Sequence, residues 1–332
     1  VVTVVGGILL LNVGRRVEMV RLFRETLAEL KIQAIVFGTD IVPTAPALYF
    51  CDQALLTPKR TDPAFFPYLT DVIKKNHIGL VVPFIDPDLD YLAAHAEELR
   101  AACPGTTFLV SEAEVIQLCR DKLCCSQVLA DKGMLVPRLF LAPSEFGPQD
   151  LPLILKPRSG SSSQGIRVIR ELEELAGLKW EPGQSFIQQF IDGEEYTVDC
   201  YVSLNSRQII SIVPRRRLQI RSGEISKGVT VKDQLLEDIT RKVLEVTRVV
   251  GPAAIQFIKS GDKYYFTEIN PRFGGGFPLS IQAGAHAVRW VLQEVFFSAT
   301  IQPCVGQYET DLYMLRYDQS LFLKGRDLKK HV

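Results

Sequence analysis

A lysine that ends an apolar strand and is followed by glycines and serines is suited to holding phosphate. Residues 153–157, Leu-Ile-Leu-Lys-Pro, predict such a strand, with Lys156 near its end. Ser159, Gly160, Ser161, Ser162, Ser163, Gln164 and Gly165 follow. The two glycines permit backbone shapes that other residues resist, so successive N–H groups can turn toward one anion. The lysine precedes the glycines and no helix follows at once, so this is not the G-x-x-x-x-G-K-[ST] loop. The bland alternative is a polar surface hairpin.

A second candidate runs from Tyr264 to Gly276 and contains Glu268, Asn270 and Arg272. Side chains repeat every two residues along a strand, so Glu268 and Asn270 should share one face, the face that also carries Tyr264 and Phe266. A carboxylate and an amide oxygen at that spacing suit Mg²⁺, a hard cation that bridges to phosphates. Gln256, on the partner strand of a hairpin turning at 260–262, can reach the same place. Arg272 can meet a phosphoryl group. The alternative is a charged strand end entering a glycine loop.

Two weaker signals accompany these. Residues 214–228 hold five of the 38 basic residues, Arg215, Arg216, Arg217, Arg221 and Lys227. They read as a cationic site for a phosphate or a substrate carboxylate, or else as a solvated mobile loop. Residues 192–195, Asp-Gly-Glu-Glu, join two predicted strands and place Glu195 where it can accept from a ribose diol. Lys122, near a helix start, gains meaning only from its surroundings.

The elements that must position these groups follow from periodicity. Strands are expected at 4–12, 33–38, 79–84 and 106–110, alternating with helices at 16–30, 67–76 and 89–102. Nearly continuous apolar strands between helices imply an open parallel sheet, whose ligands lie beyond the strands' carboxyl ends, here Gly14-Arg15, Thr39-Asp40 and Asp86. Gly6 and Gly7 sit too early for a dinucleotide fingerprint. Ser111 with Glu114 predicts a capping box opening a helix at 112–118, and a second helix is expected at 121–132. Later strands are expected at 185–190, 195–202, 208–214, 253–258 and 263–269, and helices at 235–249 and 283–297.

Composition narrows the function classes. The 38 basic and 38 acidic residues cancel, which gives no long-range pull toward nucleic acid or an anionic membrane. The apolar start reads as a buried strand, lacking the flanks of a signal peptide and the length of a spanning helix. Seven scattered cysteines with no CxxC pair fit neither a zinc site nor a disulfide framework. They point to a reducing, cytoplasmic setting.

Taken in order, Asn12 to Glu18, Arg120-Asp121-Lys122, the Lys156 loop, Gly193 to Thr197, Gln256-Phe257 and Glu268-Ile269-Asn270-Pro271-Arg272 resemble the ATP-grasp superfamily, closest to stand-alone single-module relatives of the carbamoyl-phosphate synthetase large subunit. The resemblance implies a fold of α/β and α+β type, a doubly wound (Rossmann-like) pre-ATP-grasp domain followed by a two-lobed ATP-grasp fold. The expected bounds are 1–112 for the first domain, 113–190 for a small lobe, 191–310 for a large lobe and 311–332 for an extension packed on the core. It also implies roles. Lys122 and Lys156 contact ATP phosphates under a loop from Ser159 to Gly165, which includes Gly160, Ser161, Ser162 and Ser163. Gln188, Gln189, Phe190 and Ile191 lie at the adenine hinge, with Gln188 where many relatives carry an acid. Glu195 meets the ribose; Gln256, Glu268 and Asn270 hold metal; Arg272 contacts the transferred phosphate and, with Lys156 and Arg215, serves catalysis.

The implied cofactors are ATP and Mg²⁺, or Mn²⁺ in its place. The implied reaction is an ATP-dependent carboxylate–amine ligation through an acyl phosphate, releasing ADP and phosphate. The partners are then small carboxylate and amine substrates, with no nucleic acid or membrane and with a homodimer as the common assembly. Two alternatives stand beside it: a carbamate or carboxylate kinase, and an ATP-binding protein of this type with a non-ligase role.

Overall fold

A computed structural model describes residues 3–160, 165–171, 173–176, 181, 183–221 and 223–328. The first unit is built on β1 (Thr3–Leu11), β2 (Ile32–Asp40), β3 (Gln53–Leu56), β4 (Ile78–Pro83) and β5 (Thr107–Phe108). Every pairing is parallel, in the order β3-β2-β1-β4-β5. Helices α1 (Val17–Glu29), α2 (Phe65–Lys75), α3 (Asp86–Ala94) and α4 (Ala96–Ala102) make the crossovers. Ile8, Leu9, Leu10, Leu80, Val81 and Val82 are fully buried, which is why these strands read as unbroken apolar runs. The expected doubly wound sheet is present, with three differences. The sheet gains a short edge strand, β3, whose four residues are too few to show periodicity. The helix expected at 89–102 starts at Asp86 and breaks at His95, between α3 and α4. Ser111 caps no helix: its hydroxyl donates to Val250 O and accepts from Val250 N, 139 residues on.

Helices α5 (Ala113–Arg120) and α6 (Lys122–Asp131) lead into a small antiparallel sheet of β6 (Leu139–Phe140), β7 (Leu153–Pro157), β8 (Arg167–Ile169) and β9 (Ser185–Gln189), ordered β6-β9-β7-β8, with the single turn α7 (Glu173–Ala176). Asp121 is the true cap of α6, accepting from Cys124 N at 3.0 Å.

The large antiparallel sheet holds β10 (Glu194–Val202), β11 (Ile209–Arg221), β12 (Glu224–Thr230), β13 (Gly251–Ser260), β14 (Lys263–Asn270) and β15 (Tyr313–Leu315), ordered β14-β13-β10-β11-β12-β15. It packs with α8 (Gln234–Thr247), α9 (Phe277–Gln282) and α10 (Ala287–Phe297). Two expectations change here. The two strands expected to be joined at 192–195 lie in different sheets, β9 in the small one and β10, which already includes Glu194 and Glu195, in the large one. The basic run is no loop, because β11 extends through it to Arg221 and returns as β12.

Buried Phe23 of α1 packs edge-on against Phe84 and Phe273, with ring centroids 6.4 and 5.9 Å apart. One apolar core therefore runs from α1 and β1 through Tyr201 and Phe277 to Trp290 and Val291 of α10.

Candidate functional site

The small and large sheets face each other across a cavity of about 330 Å³. Lys122, Lys156, Ser159, Gly160, Phe190, Ile191, Glu195, Gln256 and Glu268 all line it. β7 delivers Lys156, and the link after β9 delivers Phe190 and Ile191. Strands β10, β13 and β14 deliver the acids and the amide. Lys156 of the small sheet and Glu268 of the large one share the cavity only because the two sheets face each other.

The metal-type side chains come together through the strand register. Gln256 pairs with Glu268, and Ala254 with Asn270. Gln256 Nε2 donates to Glu268 Oε1 at 2.6 Å, and Asn270 Nδ2 reaches the same oxygen at 3.2 Å. Phe257, however, pairs with Phe266, so Thr267 is an extra residue, a β-bulge in β14. The bulge reverses the alternation. Tyr264, Phe266 and Ile269 are buried, while Glu268 and Asn270 face the cleft. The expectation that Glu268 and Asn270 share a face with Tyr264 and Phe266 is therefore corrected. One carboxylate and two amides form an oxygen-bearing set that fits a hard divalent cation. Among the described residues, no group of three or more His, Cys, Asp or Glu side chains offers a competing site.

Lys122 Nζ donates to Gly160 O at 2.7 Å and lies 3.8 Å from Glu268 Oε2. Lys156 sits deeper. Burial pushes its pKa down to about 8, against the pull of Glu268 and with the push of Lys122. Glu195 is held by Arg217, whose Nη1 donates to Glu195 Oε2 at 2.7 Å and to Gln256 Oε1 at 3.1 Å. Gly165 stands at positive φ against Pro157. Ser161, Ser162 and Ser163 lie outside the described residues. Gln188 is buried within the small sheet and Gln189 is exposed; neither lines the cavity.

A second compartment of about 140 Å³ adjoins the first and shares Arg217, Gly223, Gln256 and Glu268 with it. Arg16, Asp86, Arg215, Glu224, Asn270 and Arg272 are among its walls. Arg215 is 3% exposed, and Asp199 holds it with two hydrogen bonds, Nε to Oδ2 at 2.8 Å and Nη2 to Oδ1 at 3.1 Å. Ser280 Oγ donates to the same carboxylate at 2.6 Å. Arg272 Nε donates to Asp86 Oδ1 at 2.5 Å, and Arg120 Nη1 lies 3.3 Å from Asp86 Oδ2. Burial alone would raise the Asp86 pKa, but Arg272, Arg120 and Lys122 together hold it below the usual carboxylate range. Motif reading singles out Arg215 and Arg272 but misses Asp199, Glu224 and Arg16, whose spacing in sequence carries no signal.

Two family models match the chain: "PylC-like, N-terminal domain" over residues 8–109 and "ATP-grasp domain" over residues 119–276. A pyruvate carboxylase of Staphylococcus aureus is 23% identical over 305 residues, covering 79% of this chain and 25% of its own length. This chain thus spans about a quarter of that relative. A D-alanine–D-alanine ligase of Petrotoga mobilis is 26% identical over 154 residues, covering 41% of this chain and 50% of its own length. Among solved structures, a biotin carboxylase–β,γ-ATP complex from Campylobacter jejuni superposes with a TM-score of 0.72 at 16% identity, covering 92% of this chain and 74% of the other. At that identity the likeness concerns the fold.

Proposed function

This chain belongs to the ATP-grasp superfamily, and on that premise we propose that it uses MgATP to phosphorylate a small acid, a carboxylate, carbamate or bicarbonate, in a carboxylate-kinase-like step. The observation that carries the reading is the pair of adjoining compartments sharing Gln256 and Glu268, one lined by Lys122 and Lys156 and the other by Arg215 and Arg272. In this reading the nucleotide occupies the larger compartment. Phe190 and Ile191 flank adenine, Glu195 accepts from the ribose, and Ser159 and Gly160 cover the phosphates. Gln256, Glu268 and Asn270 would hold the metal, which supplies charge neutralisation on the phosphate oxygens when bound.

The acid lies in the second compartment, where Arg215 and Arg272 orient its carboxylate. One acid oxygen attacks the γ-phosphorus as the bond to the bridging oxygen breaks, and ADP leaves with that oxygen. Lys122, Lys156 and Arg272 offset the charge that moves, so catalysis consists of positioning and electrostatics. Hydroxylamine trapping tests the reading. Acid-dependent hydroxamate formation, matched by ADP release, is expected; ATP binding with no hydroxamate from any small acid would contradict it.

The second reading is the carboxylate–amine ligase, favoured by the match to a D-alanine–D-alanine ligase. It adds one step, attack of an amine on the acyl carbon with loss of phosphate. Amine-dependent acceleration of ADP release, with phosphate rather than acyl phosphate as product, distinguishes it.

A further inference from the structure

This inference rests on the acid-phosphorylating reading. Glu224, at the start of β12, stands in the wall of the second compartment. Its carboxylate faces Arg15 Nη2 at 3.2 Å, Arg16 Nη2 at 3.6 Å and Arg316 Nη1 at 3.6 Å. The first two follow β1 and the third follows β15, so distant segments converge on one acid. Among the described residues, none of these arginines has another carboxylate within ion-pair distance. Burial lowers the pKa of both Arg16 and Arg316, although Glu224 opposes the shift.

Glu18 and Asp86 act on Arg316 and Arg16 from beyond ion-pair distance. Asp199 is taken by Arg215 and Ser280, and Asp86 by Arg272 and Arg120. Among the described residues, Arg16 Nε and Arg215 Nη1 are buried without a hydrogen-bond partner. A buried donor left unpaired keeps its full desolvation cost, which a bound anion relieves. The reacting carboxylate already has Arg215 and Arg272. The remaining cationic surplus is more than one carboxylate requires.

We propose that the acid substrate carries a second anionic group, as in a short dicarboxylate, and that Arg16 in the compartment wall, together with Arg15 and Arg316, which share Glu224 with it, holds that group, Glu224 occupying its place when the substrate is absent. The compartment's volume of about 140 Å³ limits the acid to a small one.

Calorimetric titration of succinate and of acetate into the MgADP-loaded protein tests this, with ADP release measured in parallel. Succinate should bind about tenfold or more tighter than acetate, the scale of one added charge-assisted hydrogen bond. Arg316→Gln should reduce that preference by a similar factor. Glu224→Gln should tighten succinate several-fold, because the competing carboxylate is gone. A purely structural Glu224 predicts the opposite sign, since its loss leaves three like charges together. Equal binding of the two acids, or weaker succinate binding by folded Glu224→Gln, overturns the subsite. Should Glu224→Gln fail to fold, the Arg316→Gln preference decides alone. Acetate-dependent ADP release equal to that with succinate would remove the subsite and leave acid phosphorylation standing. Arg316-dependent succinate binding without ADP release from any acid would do the reverse.

Discussion

Lys156 illustrates how one side chain joins stability to function. Its pKa of about 8 lies below the ordinary lysine value because burial disfavours the charge. Between pH 8 and the unfolded value of 10.5 the unfolded chain binds more protons, so this residue's contribution to stability rises with pH across that window. If Lys156 meets the nucleotide phosphates as proposed, nucleotide binding has the opposite dependence, because phosphate favours protonated Lys156. MgADP affinity should fall as pH rises from about 8 to about 9.5, with proton uptake on binding. Lys156→Met should flatten this dependence, as calorimetry in buffers of different ionisation enthalpy would register. In the proposed reaction Asp86 acts through Arg272, which donates to it. Asp86→Asn keeps an acceptor but removes the charge that fixes the guanidinium, and kcat should drop roughly 10–100-fold, the scale of about 1.5–3 kcal/mol for a charged hydrogen bond. The KM for ATP should change much less, as steady-state kinetics would measure.

At the scale of elements, the parallel strands and the β13–β14 hairpin are legible because their apolar runs and turn residues are local signals. The bulge at Thr267 is not. Nothing in Tyr-Tyr-Phe-Thr-Glu-Ile-Asn distinguishes a regular strand from a bulged one, and only packing of Tyr264, Phe266 and Ile269 on one side settles the phase. Lys156, Glu268 and Arg272 stand out by residue type and spacing, whereas the Asp86–Arg272 and Glu224–Arg16 pairs depend on how distant elements meet. The glycine run before α9 has a similarly nonlocal reason. A Cβ on Gly276 would lie 2.2 Å from Arg215 Cζ, although its backbone conformation is ordinary. Gly276→Ala must displace the arginine, costing about 1–3 kcal/mol as overpacking does. Denaturant unfolding should show that loss, together with a raised KM for the acid.

For the whole molecule, the first unit and the large sheet are joined by apolar packing as well as by ion pairs. Phe273 lies directly after Arg272 and packs against Phe23 and Phe277, so one core supports both the sheet and the arginine. Phe273→Ala should cost about 3–5 kcal/mol, and intrinsic fluorescence and circular dichroism should report a single lowered transition for these two units. No helix among the described residues is long and apolar enough to cross a membrane. The proposed reaction is transfer of the γ-phosphoryl group of ATP to an acid in the cleft. Positional isotope exchange measures this most directly, using ATP labelled with heavy oxygen in the β,γ-bridge and no amine. Scrambling of the label into the β-nonbridging positions, dependent on added acid and Mg²⁺, is expected. Nucleotide binding with no acid-dependent scrambling, across carboxylates and bicarbonate, would contradict it.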